Sequence, residues 1–201
     1  MSARRKSVPR LVMLDRDGVV NEDSDDYVKS VAEWKPIAGS LHAIARLCDA
    51  GFTVVVVSNQ SGLARGLFDR DDLRAIHREM HRQVEAAGGH ISGVFVCPHA
   101  PDAGCGCRKP QPGLLLDVER SLGIPIAGAP LVGDKAADLE AARRAGCEPI
   151  LVRTGKGAAA ERDAAGIDSA LVFDDLARAA DHLIARASRA RGGAQGRRRA
   201  G

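Results

Sequence analysis

Aromatic residues make up only 3% of this 201-residue chain, so a core must be built from Val, Leu, Ile and Ala. No apolar run approaches the roughly 18 residues that a membrane-spanning helix needs, and no membrane partner is expected. The basic start, Met1 to Lys6, leads only to the short run Leu11-Val12-Met13-Leu14 before charged Asp15. That is too little for a secretory signal, and the reading is a cytoplasmic protein. Acidic residues are missing after Asp181, whereas six arginines fall there. Their charge outweighs the net +3 of the whole chain, so the body is slightly acidic. A nucleic-acid partner is therefore not expected. The Gly/Ala/Arg-rich end, 188–201, reads as a disordered tail. Residues 8–187 read as one domain, expected to be monomeric because no exposed apolar helix face stands out.

What the chain does have is an alternation of short apolar runs with longer amphipathic ones. Residues 11–14, 53–57, 93–97, 129–132, 149–152 and 171–173 read as strands. Their nearly continuous apolar character is that of parallel strands covered on both faces. Segments 40–50, 70–87, 113–122, 136–145 and 175–186 read as helices; Leu41, Ile44, Ala45 and Cys48 share one helical face. Gly51, Gly88, Gly123 and Gly146 follow the first four helices, where a C-terminal stop belongs. The fold class is α/β, a Rossmann-like doubly wound and mostly parallel sheet. No insertion is long enough for a large cap domain.

Three of the strands end in chemically loaded residues. The first runs into Asp15-Arg16-Asp17-Gly18, the second into Ser58-Asn59-Gln60-Ser61, and the fourth into Gly133-Asp134-Lys135. In open α/β sheets ligands bind at the carboxyl ends of the strands. Two carboxylates aimed at one point repel unless a cation or proton lies between them. The pair taken alone also suits a strand-ending turn; three such ends at one sheet edge suit phosphoryl transfer. A carboxylate is a competent nucleophile toward phosphorus, and Mg²⁺ held by Asp15 and Asp134 would bridge two anions that otherwise repel. Ser58 can donate to a phosphate oxygen. Lys109, or Lys135, can offset the charge of the transferring group.

Cys97-Pro-His99, five residues, then Cys105-Gly-Cys107 forms the second signal. Three thiols and one imidazole match a closed tetrahedral Zn²⁺ site. Disulfides do not suit a reducing compartment, and unligated thiols are the remaining alternative. Arg108 and Lys109 follow at once, so a metal that orders this loop also fixes two cations. A closed site leaves no position for substrate, so this zinc would be a brace. Cys48 and Cys147 read as small buried residues.

Asp15-x-Asp17-Gly18-Val19, Ser58-Asn59, Lys109-Pro110 and Gly133-Asp134 with Asp138 resemble the four motifs of the haloacid-dehalogenase-type phosphatases, in order and across most of the chain. The resemblance implies Asp15 as nucleophile and Asp17 as the acid and base. It also implies Mg²⁺ on Asp15, Asp134 and the Asp17 carbonyl, with Asp138 supporting the metal site. The loops Tyr27-Val-Lys, Ser58-Asn-Gln-Ser-Gly-Leu-Ala-Arg65-Gly, the cysteine stretch and Val152-Arg-Thr-Gly-Lys156-Gly resemble the branch that acts on heptose bisphosphates. That implies a small-molecule sugar bisphosphate as substrate. By position Ser58 and Lys109 would steady the phosphoryl group and Arg108 would recognise the sugar bisphosphate. Asp23, Asp26, Tyr27, Asn59, Gln60 and Ser61 would contact substrate, with Lys135 beside the metal. Histidinol-phosphate phosphatases share the opening motif and the cysteine loop. A polynucleotide phosphatase is suggested only by the basic tail, and a noncatalytic zinc-binding module is the alternative of another class.

Overall fold

In this computed structural model the described residues are 10–163 and 170–196, the last six by backbone alone. The chain forms β1 (Arg10–Leu14), α1 (Ser40–Asp49), β2 (Phe52–Asn59), α2 (Arg70–Ala86), β3 (Gly93–Cys97) and α3 (Gly113–Leu122). It continues with β4 (Pro130–Gly133), α4 (Ala136–Arg144), β5 (Glu148–Val152), α5 (Gly157–Arg162), β6 (Leu171–Phe173) and α6 (Leu176–Gly196). All strand pairs are parallel, and the sheet order is β3-β2-β1-β4-β5-β6. The order reverses beside β1, so the crevice expected of a doubly wound sheet opens at its carboxyl end.

Both faces of the sheet are covered, and the strands show why their sequences do not alternate in polarity. Val12, Leu14, Val54, Val56, Val132 and Ile150 point to one face, where α1, α2 and α6 supply Ile44, Leu47, Ile76, Met80 and Leu183. Leu11, Met13, Val55, Val57 and Leu131 point to the other, against Leu114, Leu115 and Val118 of α3 and Ala141 and Ala142 of α4. Each such large apolar side chain, when fully buried, contributes about 1.5–3 kcal/mol. A one-residue register slip would exchange the two faces, and with them the direction of Asp15.

Two expectations change. A helix is added at α5, too short to leave a periodic signal. The terminal helix also runs through Gly196 rather than ending before Ser188; Ala and Arg, strong helix formers, account for its course to Arg191, and the glycine-containing last turn has no such explanation. Residues 197–201, the rest of the expected tail, lie outside the described residues. Among the described residues no helix is long and apolar enough to cross a membrane.

Candidate active site

Parallel pairing brings the ends of β1, β2 and β4 side by side, with the Asp15 N–H on the Val132 carbonyl at 2.8 Å. Asp15 is 5% exposed and Lys109 3%. The Lys109 ammonium lies 2.8 Å from Asp15 Oδ1 and 2.6 Å from Asp138 Oδ1, and donates to the Val57 carbonyl at 2.8 Å. Burial alone would depress this lysine; the charges of Asp138 and Asp15 outweigh it and raise its proton affinity. Burial also lifts Asp15 to about 6, against the pull of Lys109 and with help from the Asp138 charge.

Asp15, Asp134 and Asp138 each bring one carboxylate oxygen within 4.8 Å of the others. Asp138 has one oxygen on Lys109 and the other on the Lys135 N–H at 3.0 Å, so it supports the site from behind. Asp134 differs. Its Oδ2 accepts from the Lys156 N–H at 2.8 Å, whereas its buried Oδ1 has no hydrogen-bond partner and only a 3.5 Å charge contact from Lys135. Burial, then the negative charge of Asp15, raises Asp134 to about 7. A buried carboxylate oxygen without a donor, beside a second carboxylate, fits a hard cation such as Mg²⁺. The Asp17 carboxylate stands outside this cluster.

Asp17 is instead held by Arg16, whose Nε and Nη2 reach Asp17 Oδ1 at 3.0 and 2.8 Å, and by Asn21 Nδ2 at 2.8 Å. Burial works to raise the Asp17 carboxyl, but Arg16 and the hydrogen bonds hold it below the usual range. Gln60 Nε2 donates to both Asp17 Oδ2 and Ser58 Oγ, each at 2.8 Å. Since Ser58 accepts there, its own proton is left for another oxygen.

A cavity of about 330 Å³ opens over these groups, with Arg108, Lys135 and Lys156 as cations in its wall. Asp23, Tyr27, Asn59, Gln60 and Ser61 also line it. Asp26 does not; Ser24 and Asp25 take its place. The residue that follows, Tyr27, has a left-handed φ of 66°. Tyr27 meets Ser61 Oγ at 3.4 Å, and the Arg65 guanidinium lies 5.8 Å from its ring centre. Asn59 corrects another expectation. Its amide oxygen accepts from the Lys109 N–H at 3.1 Å and its amide nitrogen donates to the Lys109 carbonyl at 3.0 Å. Both ends of the amide thus fix Lys109 instead of reaching a substrate.

Cys97, His99, Cys105 and Cys107 converge beside this cavity, their ligand atoms all within 4.8 Å of one another. The sulfurs of Cys97, Cys105 and Cys107 lie 3.3–3.7 Å apart. A tetrahedron with Zn–S near 2.3 Å has edges of about 3.8 Å, so the set fits Zn²⁺ after a small expansion. The Cys97 carbonyl accepts the Gln60 N–H at 2.8 Å, which joins this loop to the end of β2. Sequence reasoning did not assign roles to Arg16, Asn21, Thr154 or Lys156. For Arg16 the signal was a cation between two carboxylates, which surface exposure would have made meaningless.

Residues 106–179 match the family model described as HAD-hydrolase-like. The chain is 51% identical over 175 residues to the D-glycero-β-D-manno-heptose-1,7-bisphosphate 7-phosphatase of Bordetella bronchiseptica, covering 87% of this chain and 98% of that one. It is 48% identical to the phosphatase of the same name from Pseudomonas aeruginosa, covering 87% and 97%. The crystal structure of the D,D-heptose 1,7-bisphosphate phosphatase from B. bronchiseptica, complexed with magnesium and phosphate, superimposes with a TM-score of 0.86, covering 88% of this chain and 99% of that one.

Proposed function

The chain belongs to the haloacid-dehalogenase-like hydrolases, within the family of the D-glycero-β-D-manno-heptose-1,7-bisphosphate 7-phosphatases, and we propose that it removes the 7-phosphate of that β-configured sugar through a phosphorylated Asp15. The observation that carries this mechanism is the buried Asp15 set between Lys109 and the unpartnered Asp134 Oδ1.

Asp15, Asp134 and the Asp17 carbonyl would hold Mg²⁺, which when bound offsets the repulsion between an anionic nucleophile and an anionic phosphate. Asp15 attacks phosphorus, and the bond to the sugar oxygen breaks. Lys109 and the Ser58 hydroxyl steady the charge on the remaining phosphoryl oxygens. The approaching phosphate places negative charge near Asp17 and raises its proton affinity, so Asp17 takes up a proton from solvent as substrate binds and gives it to the leaving sugar oxygen. In the second half Asp17, ionised and aimed by Arg16 and Gln60, takes a proton from the water that attacks the aspartyl phosphate. The closed Cys97-His99-Cys105-Cys107 set supports a structural Zn²⁺ that braces Arg108 and Lys109. Arg108, Lys135 and Lys156 suit a substrate with a second phosphate. The product, a sugar 1-phosphate, suits nucleotidyl transfer in a cytoplasmic route to activated heptose and lipopolysaccharide core.

Purified protein with Mg²⁺ should be offered both anomers of heptose 1,7-bisphosphate, histidinol phosphate and fructose 1,6-bisphosphate. Highest kcat/KM on the β-heptose compound is expected. A preference for histidinol phosphate would overturn the substrate assignment.

A further inference from the structure

Thr154, Gly155 and Lys156 join β5 to α5 and close over the back of Asp134. Thr154 Oγ1 donates to the Gly18 carbonyl at 2.6 Å, and the Lys156 N–H donates to Asp134 Oδ2 at 2.8 Å. Gly155, at φ 58°, lies between them. A Cβ at Gly155 would overlap both Asp134 Oδ2 and Gly18 Cα, and one at Gly18 would overlap the same carboxylate oxygen. The Asp134 side chain is thus sandwiched between two glycine backbones. One oxygen is tied to Lys156, and the other is buried, without a hydrogen bond, and meets the Lys135 ammonium at 3.5 Å.

This arrangement decides how the carboxylate can bind a cation. With Oδ2 holding the Lys156 N–H, Oδ1 is the oxygen without a hydrogen bond, which favours ligation through Oδ1 in one direction. Mg²⁺ tolerates little departure from octahedral geometry at about 2.0–2.1 Å. Partners that orient a ligand typically change metal affinity by about 10- to 100-fold.

We propose that Thr154, Gly155 and the Lys156 backbone N–H are positioning groups for Asp134, setting the Mg²⁺ affinity of the site without touching metal or substrate. This rests on the magnesium reading above. The Lys156 side chain is separate from the device. It pairs with Asp25 and faces the cavity, so Lys156→Ala removes it and keeps the N–H.

Full-length, zinc-loaded protein freed of Mg²⁺ should be titrated with MgCl2 in a calorimeter. Thr154→Val and Gly155→Ala are expected to weaken Mg²⁺ binding by about tenfold or more, whereas Thr154→Ser stays near wild type. In turnover assays the first pair should need more Mg²⁺ for half-maximal rate, with the KM for sugar phosphate at saturating Mg²⁺ little changed. Circular dichroism and zinc content report folding. Should Gly155→Ala fail to fold, the Thr154→Val and Thr154→Ser pair decides. Wild-type affinity in folded Thr154→Val overturns the inference alone, and absence of Mg²⁺ binding by the wild type overturns the magnesium reading and this inference together.

Discussion

The Lys109 ammonium stands 2.8 Å from Asp15 Oδ1, and both side chains are almost completely buried. Removing one partner of such a pair strands the other without water. Lys109→Met should therefore reduce kcat by about 100- to 1,000-fold and destabilise the fold by about 3–5 kcal/mol. Steady-state kinetics and denaturant unfolding test the two effects separately; unchanged turnover would remove Lys109 from the chemistry.

Asp15→Asn should behave differently, because Lys109 keeps the Asp138 carboxylate at 2.6 Å. Burial makes the Asp15 charge unfavourable at neutral pH, as its rise to about 6 implies. A neutral amide escapes that cost, so turnover should vanish while the thermal midpoint at pH 8 is kept or raised. Residual turnover near the wild-type rate would exclude Asp15 as nucleophile.

Asp15 and Asp134 also set a pH dependence. Both are raised, to about 6 and about 7, whereas unfolded aspartates titrate near 3.9. Between roughly pH 4 and 7 the folded, metal-free protein holds these protons more tightly than the unfolded chain, so this contribution to stability is lost as pH rises through that window. Mg²⁺ must displace the same protons. Added MgCl2 should raise the melting temperature more at pH 8 than at pH 5.5, and equal gains in a thermal scan would contradict the assignment.

Gln60 ties the Asp17 carboxylate to the Ser58 hydroxyl by two 2.8 Å hydrogen bonds, the pair proposed for proton transfer and phosphate binding. Gln60→Leu leaves Ser58 free to turn its proton away and removes a donor from Asp17. We expect kcat to fall by about tenfold or more, since one hydrogen bond to a charged group contributes about 1.5–3 kcal/mol. Single-turnover kinetics locate the loss; a change confined to KM would refute this role.

On the zinc reading of Cys97, His99, Cys105 and Cys107, protein treated with a strong chelator and returned to excess Mg²⁺ should stay inactive because the loop that carries Lys109 is loosened. Added Zn²⁺ should restore activity. Metal analysis alongside the assay checks the stoichiometry. Full activity in protein shown to lack zinc would separate the loop from the catalytic geometry.

The sheet was legible because runs such as Val54 to Val57 can belong only to a strand buried on both sides, and the strand ends then located Asp15, Ser58 and Asp134. The cysteine spacing likewise exposed its cluster. Less legible was the loop after β1, where Asp25 rather than Asp26 reaches the cavity wall and Tyr27 is left-handed. Loops have no period from which facing can be read. Asn59 was also opaque, because its partner Lys109 is fifty residues away and only the fold shows that its amide is fully engaged. Arg16 was hidden by habit, since arginines are rarely without exposure.

The sheet order has a consequence for synthesis of the chain. Asp15 emerges early, but its partners arrive with Ser58, Lys109 and Asp134, and the brace on Asp134 comes only with Lys156. β1 itself lies between β2 and β4, so its central place cannot be filled until the second half of the protein has left the ribosome. Domains fold as units during translation; here a fragment ending before β4 would carry Asp15 but not Asp134, its neighbour in the carboxylate cluster. Nascent and truncated chains should accordingly be unable to hydrolyse phosphate esters indiscriminately.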